Sequence, residues 1–571
     1  MIRKFLSTLL GSLLVLNLSG CSIIHIWSFT NDQQDITPSH SSQASFKTRN
    51  DRATKPIDIR CVNPKKQNDV LVLLALSGGG SRAAYFSALS MLEMEQIKVN
   101  IPNKGESNLL NEVDVISSVS GGSLPAAYYV SSGDKECSSY SSRIWNRETI
   151  DDLMTRNYLG RWIGSWFLPE NALKFWLTDF DRTDIMAQTL ADNMYDQAKY
   201  KSAYNIPYAT VFDNDLTFRD LNPLRPNIII NATRGSQSIR DDGGIPFGHP
   251  FTFTNEDFVD IGSSIESYSL ARAVMASATF PGVFNFMTLR DYERNEYLHV
   301  FDGGNSDNLG LTSLKRVIWE SRLNEDSEQP VIQPKKIIVI LVDAFTKPKG
   351  ANPKSSDPRN SIAYIVDTNF LDATDSLLDK IHDSLIIEYQ NRELFPYGTD
   401  QTSNNFSFNA CMKFFHWYNQ DKKNMICSKE KNWWSSLNND IRSKIQFVHL
   451  SLNDAGDFSR SVATPTGDYT ASDYEVFQNH GGHWTMPEPG ILRKQLNDIP
   501  TNFNFDSKKN GETQLKDDEA ISCAVPTLFG KDSECKNSNG QKIGTAKTKG
   551  FHNAEFQTIK RILENPDIKL E

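Results

Sequence analysis

The sequence has no surplus of positive charge. Lys and Arg number 60 against 70 Asp and Glu, a formal net charge of −10, and the pI is near 5.6. A nucleic-acid binder would need a basic face, so that class is excluded. It has no internal repeats, and therefore no solenoid or propeller. Its one strongly apolar run near the start, Phe5 to Leu18, is too short for a comfortable membrane span. Cysteine is sparse, at seven residues. What remains is ordinary: 39% apolar and 23% charged over 571 residues, enough chain for a large core and for several domains.

The N-terminus reads as a processed leader. Arg3 and Lys4 precede the apolar run, and Leu18-Ser19-Gly20-Cys21 closes it. That pattern is a secretory signal, and its end resembles the lipobox of bacterial lipoproteins. The resemblance implies cleavage before Cys21 and acylation of its thiol. Ser22, rather than Asp, then favours sorting to the outer membrane of a diderm cell. The expected location is the bacterial cell envelope, on a lipid anchor. Export is consistent with the other cysteines, an even set of Cys61, Cys137, Cys411, Cys427, Cys523 and Cys535. Cys411–Cys427 and Cys523–Cys535 are the pairings favoured by closeness in sequence.

Residues 22–66 are rich in Ser, Asn, Gln, Asp and Thr and read as a flexible tether. From Val70 the texture changes to unbroken apolar runs at 70–76, 113–117, 227–233, 297–301, 336–342 and 445–452. Unbroken runs suit strands covered on both faces, as in a parallel sheet between helical layers. Over 362–389 apolar residues recur every three or four positions, the spacing of an amphipathic helix. The fold class expected is α/β, with helical insertions. Residues 145–180 hold Trp145, Trp162, Trp166, Phe167, Phe175, Trp176, Leu177 and Phe180. They suit helices covering the sheet or, since Trp favours interfaces, an acyl-chain entrance or membrane-touching lid. The stretch 500–550 reads as loop, and 553–564 as a short amphipathic helix.

Three short motifs carry chemistry. The first, Ser77-Gly78-Gly79-Gly80-Ser81-Arg82, follows a strand and opens a helix. Glycines there let backbone approach a ligand, and the helix start offers N–H groups to an anion. The spacing also satisfies a dinucleotide fingerprint, which needs an acidic residue closing the next strand. That strand ends in Ser117-Ser118-Val119-Ser120 instead. The second is Ser118-Val119-Ser120-Gly121-Gly122, between a strand and a helix. It has the form of a nucleophile elbow whose first glycine has become serine; a bare helix cap is the plainer reading of Ser120. The third is Phe301-Asp302-Gly303-Gly304-Asn305 at a strand end, where the plain reading is a tight turn. A calcium loop through Asp302, Asn305 and Asp307 does not fit a known spacing. His480 and His483 follow Ser120 and Asp302 in the order of an α/β-hydrolase triad. They lack the nearby ligands of a metal site, and no metal is expected.

Taken in order, the three motifs resemble those of the patatin-like phospholipase family, and residues 276–284 and 225–235 extend the likeness. The resemblance covers roughly 70–345 and implies a three-layer α/β fold acting on glycerolipid or phospholipid acyl esters, without a cofactor. Residue by residue it implies Ser120 as nucleophile and Asp302 as its base. It places Gly78, Gly79, Gly80 and Gly121 at the oxyanion, with Arg82, Gly122, Gly303 and Gly304 in support. The domains expected are a signal peptide (1–20), a tether (21–66), a catalytic domain (67–345) and a helical and C-terminal extension (346–571). The competing class is a binding or scaffold lipoprotein that keeps the fold without the chemistry. Membrane lipids are the expected partners; protein partners are not legible.

Overall fold

The structure, a computed structural model, describes residues 69–102, 105–133, 143–166, 180–195, 215–236, 247–280, 284–321, 332–344, 381–395, 405–455, 457–460, 517–536, 542–550 and 552–570. It also describes the single positions 31, 44, 46, 168, 171 and 540. Cys21, Cys61, Cys137, His480 and His483 lie outside these residues.

In chain order the first elements are β1 (Val70–Leu76), α1 (Gly80–Glu95), the hairpin β2 (Lys98–Ile101) and β3 (Gly105–Asn108), β4 (Val115–Val119) and α2 (Ser123–Ser131). Then come α3 (Arg147–Met154), α4 (Tyr158–Ser165), α5 (Arg182–Leu190), β5 (Asn227–Arg234), β6 (Pro250–Phe253), α6 (Asn255–Asp260) and α7 (Leu270–Ser277). The domain closes with β7 (Met287–Asp291), β8 (Glu296–Asp302), the short turn α8 (Gly304–Asp307), α9 (Leu311–Glu320) and β9 (Lys336–Asp343). Helices α10 (381–390), α11 (Asn405–Phe414), α12 (Gln420–Cys427) and α13 (Lys431–Lys444) lead to β10 (Ile445–Ser451).

The main sheet runs β10-β9-β1-β4-β5-β8-β7, with β6 also on β5, eight strands in all. β10, β9, β1, β4 and β5 are mutually parallel. Every residue of β1, β4, β5 and β9 is buried, because helices cover both faces. Alternation along β1 divides the core in two. Val72, Leu74 and Leu76 join α1, α2, α5 and α7 on one face. Leu71, Leu73 and Ala75 join α9 and the helices of 381–444 on the other. The fold is thus the expected α/β arrangement of three layers.

Several elements depart from expectation. The run at 297–301 is not a covered parallel strand. β8 pairs antiparallel with β5 and β7, and its burial alternates. The stretch 500–550 is not all loop. Helix α14 (Asp517–Leu528) and strands β12 (Ser533–Lys536) and β13 (Lys542–Lys547) lie within it, β13 also pairing with β11 (Asp457–Arg460). Ile521, Ala524, Val525 and Leu528 bury one face of α14 in the same core as α1, a pattern diluted in sequence by polar neighbours. Helix α15 (Asn553–Glu564) forms as expected. Both favoured disulfides are present, Cys411–Cys427 with Cα atoms 5.8 Å apart and Cys523–Cys535 with 5.0 Å.

Within the stretch read as a tether, three positions are seated on the body. The Asn31 carboxamide donates to the Arg290 carbonyl (2.9 Å) and accepts from the Arg290 N–H (2.8 Å), so a side chain pairs with the edge strand β7. Ala44 accepts from the Asn255 N–H, and the guanidinium of Arg316 lies 3.9 Å over the Phe46 ring. Both Ala44 and Phe46 are buried. A polar composition hid these contacts, each of which rests on one residue.

Candidate active site

Ser120 stands between β4 and α2 with φ +48°, in the left-handed region that non-glycine residues rarely adopt. Such a conformation costs on the order of 1–3 kcal/mol and persists only where its surroundings hold it. Here they are specific. The Ser120 N–H donates to Ser277 Oγ at 2.8 Å, and that hydroxyl donates to the Asn231 carbonyl at 2.5 Å. The positive φ therefore falls on the serine itself. The glycines after it are needed for another reason. A Cβ on Gly121 would lie 1.9 Å from the Gly80 carbonyl oxygen, and one on Gly122 would lie 2.7 Å from the carbonyls of Leu76 and Ser77. Glycine at both places lets the elbow sit directly on the loop after β1.

Asp302 reaches the same place from the other direction. β5 pairs Asn231 with Val119 in parallel register and Ala232 with Asp302 in antiparallel register. Ser120 follows Val119, so register on one strand brings two residues 182 apart in sequence to one level. Gly303 makes the junction: a Cβ there would be 2.4 Å from the Asn231 carbonyl oxygen and 3.1 Å from Val119. Ser120 Oγ donates to Asp302 Oδ2 at 3.0 Å, and the Gly304 N–H donates to Oδ1 at 2.7 Å. Asp302 is 2% exposed. Burial pushes its carboxyl up to about 6, against the opposing pull of the Gly304 N–H and the Ser120 hydroxyl. Among the described residues no histidine bonds either group.

The glycine loop divides into two parts. Gly78 donates its N–H to the Asn308 carbonyl at 2.9 Å, so this amide is engaged and the expected oxyanion role does not extend to it. Gly79 and Gly80 have φ +138° and +64°, which only glycine adopts readily. Their N–H groups, and that of Gly121, find no acceptor among the described residues. They sit at the N-terminus of α1, where amides are left over and the helix dipole favours negative charge. Arg82 is buried in the first turn of α1, close to Gly79, and its Nε has no partner among the described residues. Ser118, the departure from the elbow pattern, donates its hydroxyl to the Ile229 carbonyl at 3.3 Å. A small side chain fits there because its polar atom has an acceptor.

Above the dyad opens a cleft of about 710 Å³, counting its mouth. Gly80, Ser120, Gly121 and Asp302 form its floor, and Leu124, Met154, Tyr158, Met186, Leu190, Met275, Phe280 and Phe284 its walls. The walls are apolar, and the polar groups converge at one end. Sequence reasoning missed Ser277 and Thr279. The Ser277 hydroxyl holds the Ser120 backbone, while the Ser277 and Thr279 carbonyls accept from the Gly303 and Asp302 N–H groups at 3.1 and 3.0 Å. The signal was the segment 276–284, legible as a motif but not as a brace.

Strand, strained serine, buried carboxylate and apolar cleft together make a serine–carboxylate site at the polar end of an apolar cleft on an α/β sheet. The model of the patatin-like phospholipase family matches residues 74–315, and the chain carries a patatin-like phospholipase domain over that stretch. The domain is thus of a lipid acyl hydrolase kind. Among solved structures, the crystal structure of VipD from Legionella pneumophila is similar at 12% identity over 81% of this chain and 77% of that chain. Its TM-score of 0.23 is too low to bear on function. No curated protein matches the chain.

Proposed function

We propose that this chain is a lipid-anchored hydrolase of the cell envelope that cleaves acyl esters of glycerolipids or phospholipids through a Ser120–Asp302 dyad. The observation that carries this reading is the 3.0 Å hydrogen bond from Ser120 Oγ to a buried carboxylate at the polar end of an apolar cleft. A serine hydroxyl needs a base to become a nucleophile. An ordinary carboxylate is a weak one at neutral pH, and burial strengthens Asp302 for the task. As Ser120 Oγ attacks the ester carbonyl, its proton passes to Asp302. The oxyanion forms against the N–H groups of Gly79, Gly80 and Gly121, each strong donor contributing about 3–4 kcal/mol. Collapse expels the alcohol, which takes the proton from Asp302 and leaves acyl-Ser120. Water then gives its proton to Asp302 and attacks the acyl carbon. Departure of the acid returns the proton to Ser120.

The envelope location rests on the Leu18–Cys21 pattern, with an acylated Cys21 holding the chain at the outer membrane. A fluorophosphonate probe tests the chemistry. Labelling at Ser120 in the full chain, lost in Ser120→Ala, together with release of fatty acid from phospholipid by the parent alone, is expected. Absence of labelling in folded protein would favour the non-catalytic scaffold.

A further inference from the structure

The cleft walls continue outward into exposed apolar side chains. Helix α4 lines the cleft through Tyr158 and turns Ile163 to solvent at 41% exposure. Trp162 of the same helix packs on Phe284 of the opposite wall at 5.2 Å and on Trp166 at 4.9 Å. Two residues beyond Phe284, Phe286 is 52% exposed, and Leu168, after α4, is 49% exposed. Side chains of this size are costly in water and are drawn to an apolar phase. Arg161, two residues before Ile163 and on the other edge of the outer face of α4, is exposed and has no carboxylate partner among the described residues. An exposed cation and an exposed Ile on the two edges of one helix, with Trp162 and Trp166 packed beneath, match the boundary between lipid phosphates and acyl chains.

The N-terminal arm says which surface this face meets. Asn31 is fixed on β7 at Arg290, and the Tyr292 hydroxyl donates to the Asn31 carbonyl at 2.9 Å. Ten residues separate Asn31 from Cys21, a reach of at most roughly 35 Å. From Arg290 to Phe286 is four residues of extended chain, about 13 Å. The clip on β7 thus keeps any acyl anchor on Cys21 within reach of the cleft mouth.

We infer that Ile163, Phe286, Leu168 and Arg161 form a docking face for the phospholipid surface that holds the anchor, so that the cleft opens onto the bilayer. This rests on the lipid-hydrolase reading and adds the orientation in which substrate enters. Acyl chains then pass from the bilayer to Ser120 along one apolar path, and the Asn31 clip restrains rotation away from it.

The test uses the mature chain beginning at Ser22, without the apolar leader and without Cys21, so that no anchor masks the face, floated with vesicles of phosphatidylethanolamine and phosphatidylglycerol. The parent is expected to float. Ile163→Asp and Phe286→Asp should each lower its partition about tenfold, and Arg161→Glu should lower it most at low salt. Hydrolysis of a water-soluble short-chain ester should stay unchanged in all three, which also shows that they fold. Ile387→Asp, equally exposed but on the opposite helical layer, should float like the parent. Unchanged partition in the face variants, equal loss in Ile387→Asp, or conversion of a dimer to a monomer by Ile163→Asp would overturn the inference. Loss of soluble-ester hydrolysis from the parent would instead sink the dyad, whatever the flotation result.

Discussion

Replacing Asp302 by Asn should abolish turnover and make the fold more stable at neutral pH. The carboxyl is raised from its ordinary 3.8 to about 6, mainly by burial. Each pH unit between those values is worth about 1.4 kcal/mol. A raised folded-state pKa means the group's contribution is fully present below about pH 4 and is lost as pH rises through about 6. Above pH 6 the ionised carboxylate therefore costs the fold about 3 kcal/mol, which a neutral isostere avoids. Asn also fits the hydrogen bonds, since its oxygen can accept from the Gly304 N–H while its amide donates to Ser120 Oγ, the reverse of the present sense. Urea unfolding followed by tryptophan fluorescence should give Asp302→Asn a midpoint about 1 M higher at pH 7, for a slope near 3 kcal/mol per M. The two proteins should converge toward pH 4. The same titration should appear in the parent's kcat/KM, rising with pH to a plateau above about 6. A variant equally or less stable at pH 7, or a pH-independent difference, would refute burial as the source of the base's strength. An active Asp302→Asn protein would remove Asp302 from the mechanism.

The site's backbone contacts give two further expectations. Gly121→Ala places a Cβ 1.9 Å from the Gly80 carbonyl and must push the glycine loop away from the elbow. The expected loss in kcat is about 10²–10³-fold, whereas Gly164→Ala, where a Cβ meets nothing within 4 Å, should leave soluble-ester turnover unchanged; equal effects would refute the close-approach argument. Ser277→Ala removes the acceptor for the Ser120 N–H, an unpaired buried group costing about 1–3 kcal/mol. It should lower kcat about tenfold or more with KM little changed; an unaltered kcat would show that the elbow holds its φ without this brace.

Much of the α/β sheet is legible in the sequence. The runs at 70–76, 227–233 and 336–342 became β1, β5 and β9 nearly residue for residue, because strands covered on both faces need unbroken apolar sequence, and the run at 445–452 became the partly buried edge strand β10. The antiparallel edge was not legible. β6 and β7 are short, and their side chains are only partly apolar. Nor was the seating of Asn31 and Phe46, since one carboxamide or one ring in a polar stretch leaves no periodicity to read.

The sequence by itself determined the order of the motifs and the class of sheet. These follow from local rules, chiefly the periodicity of apolar residues, whereas the need for glycine at 121, 122 and 303 comes from backbone of other elements. Only the tertiary structure decided that Ser120 and Asp302 meet, because that depends on the registers of β4 and β8 against β5. It alone decided that Gly78 is engaged while Gly79 and Gly80 are not, and that Ser277 holds the Ser120 backbone. The raised pKa of the Asp302 carboxyl is likewise a tertiary property, for it is set by the solvent the group loses, and no sequence window contains that.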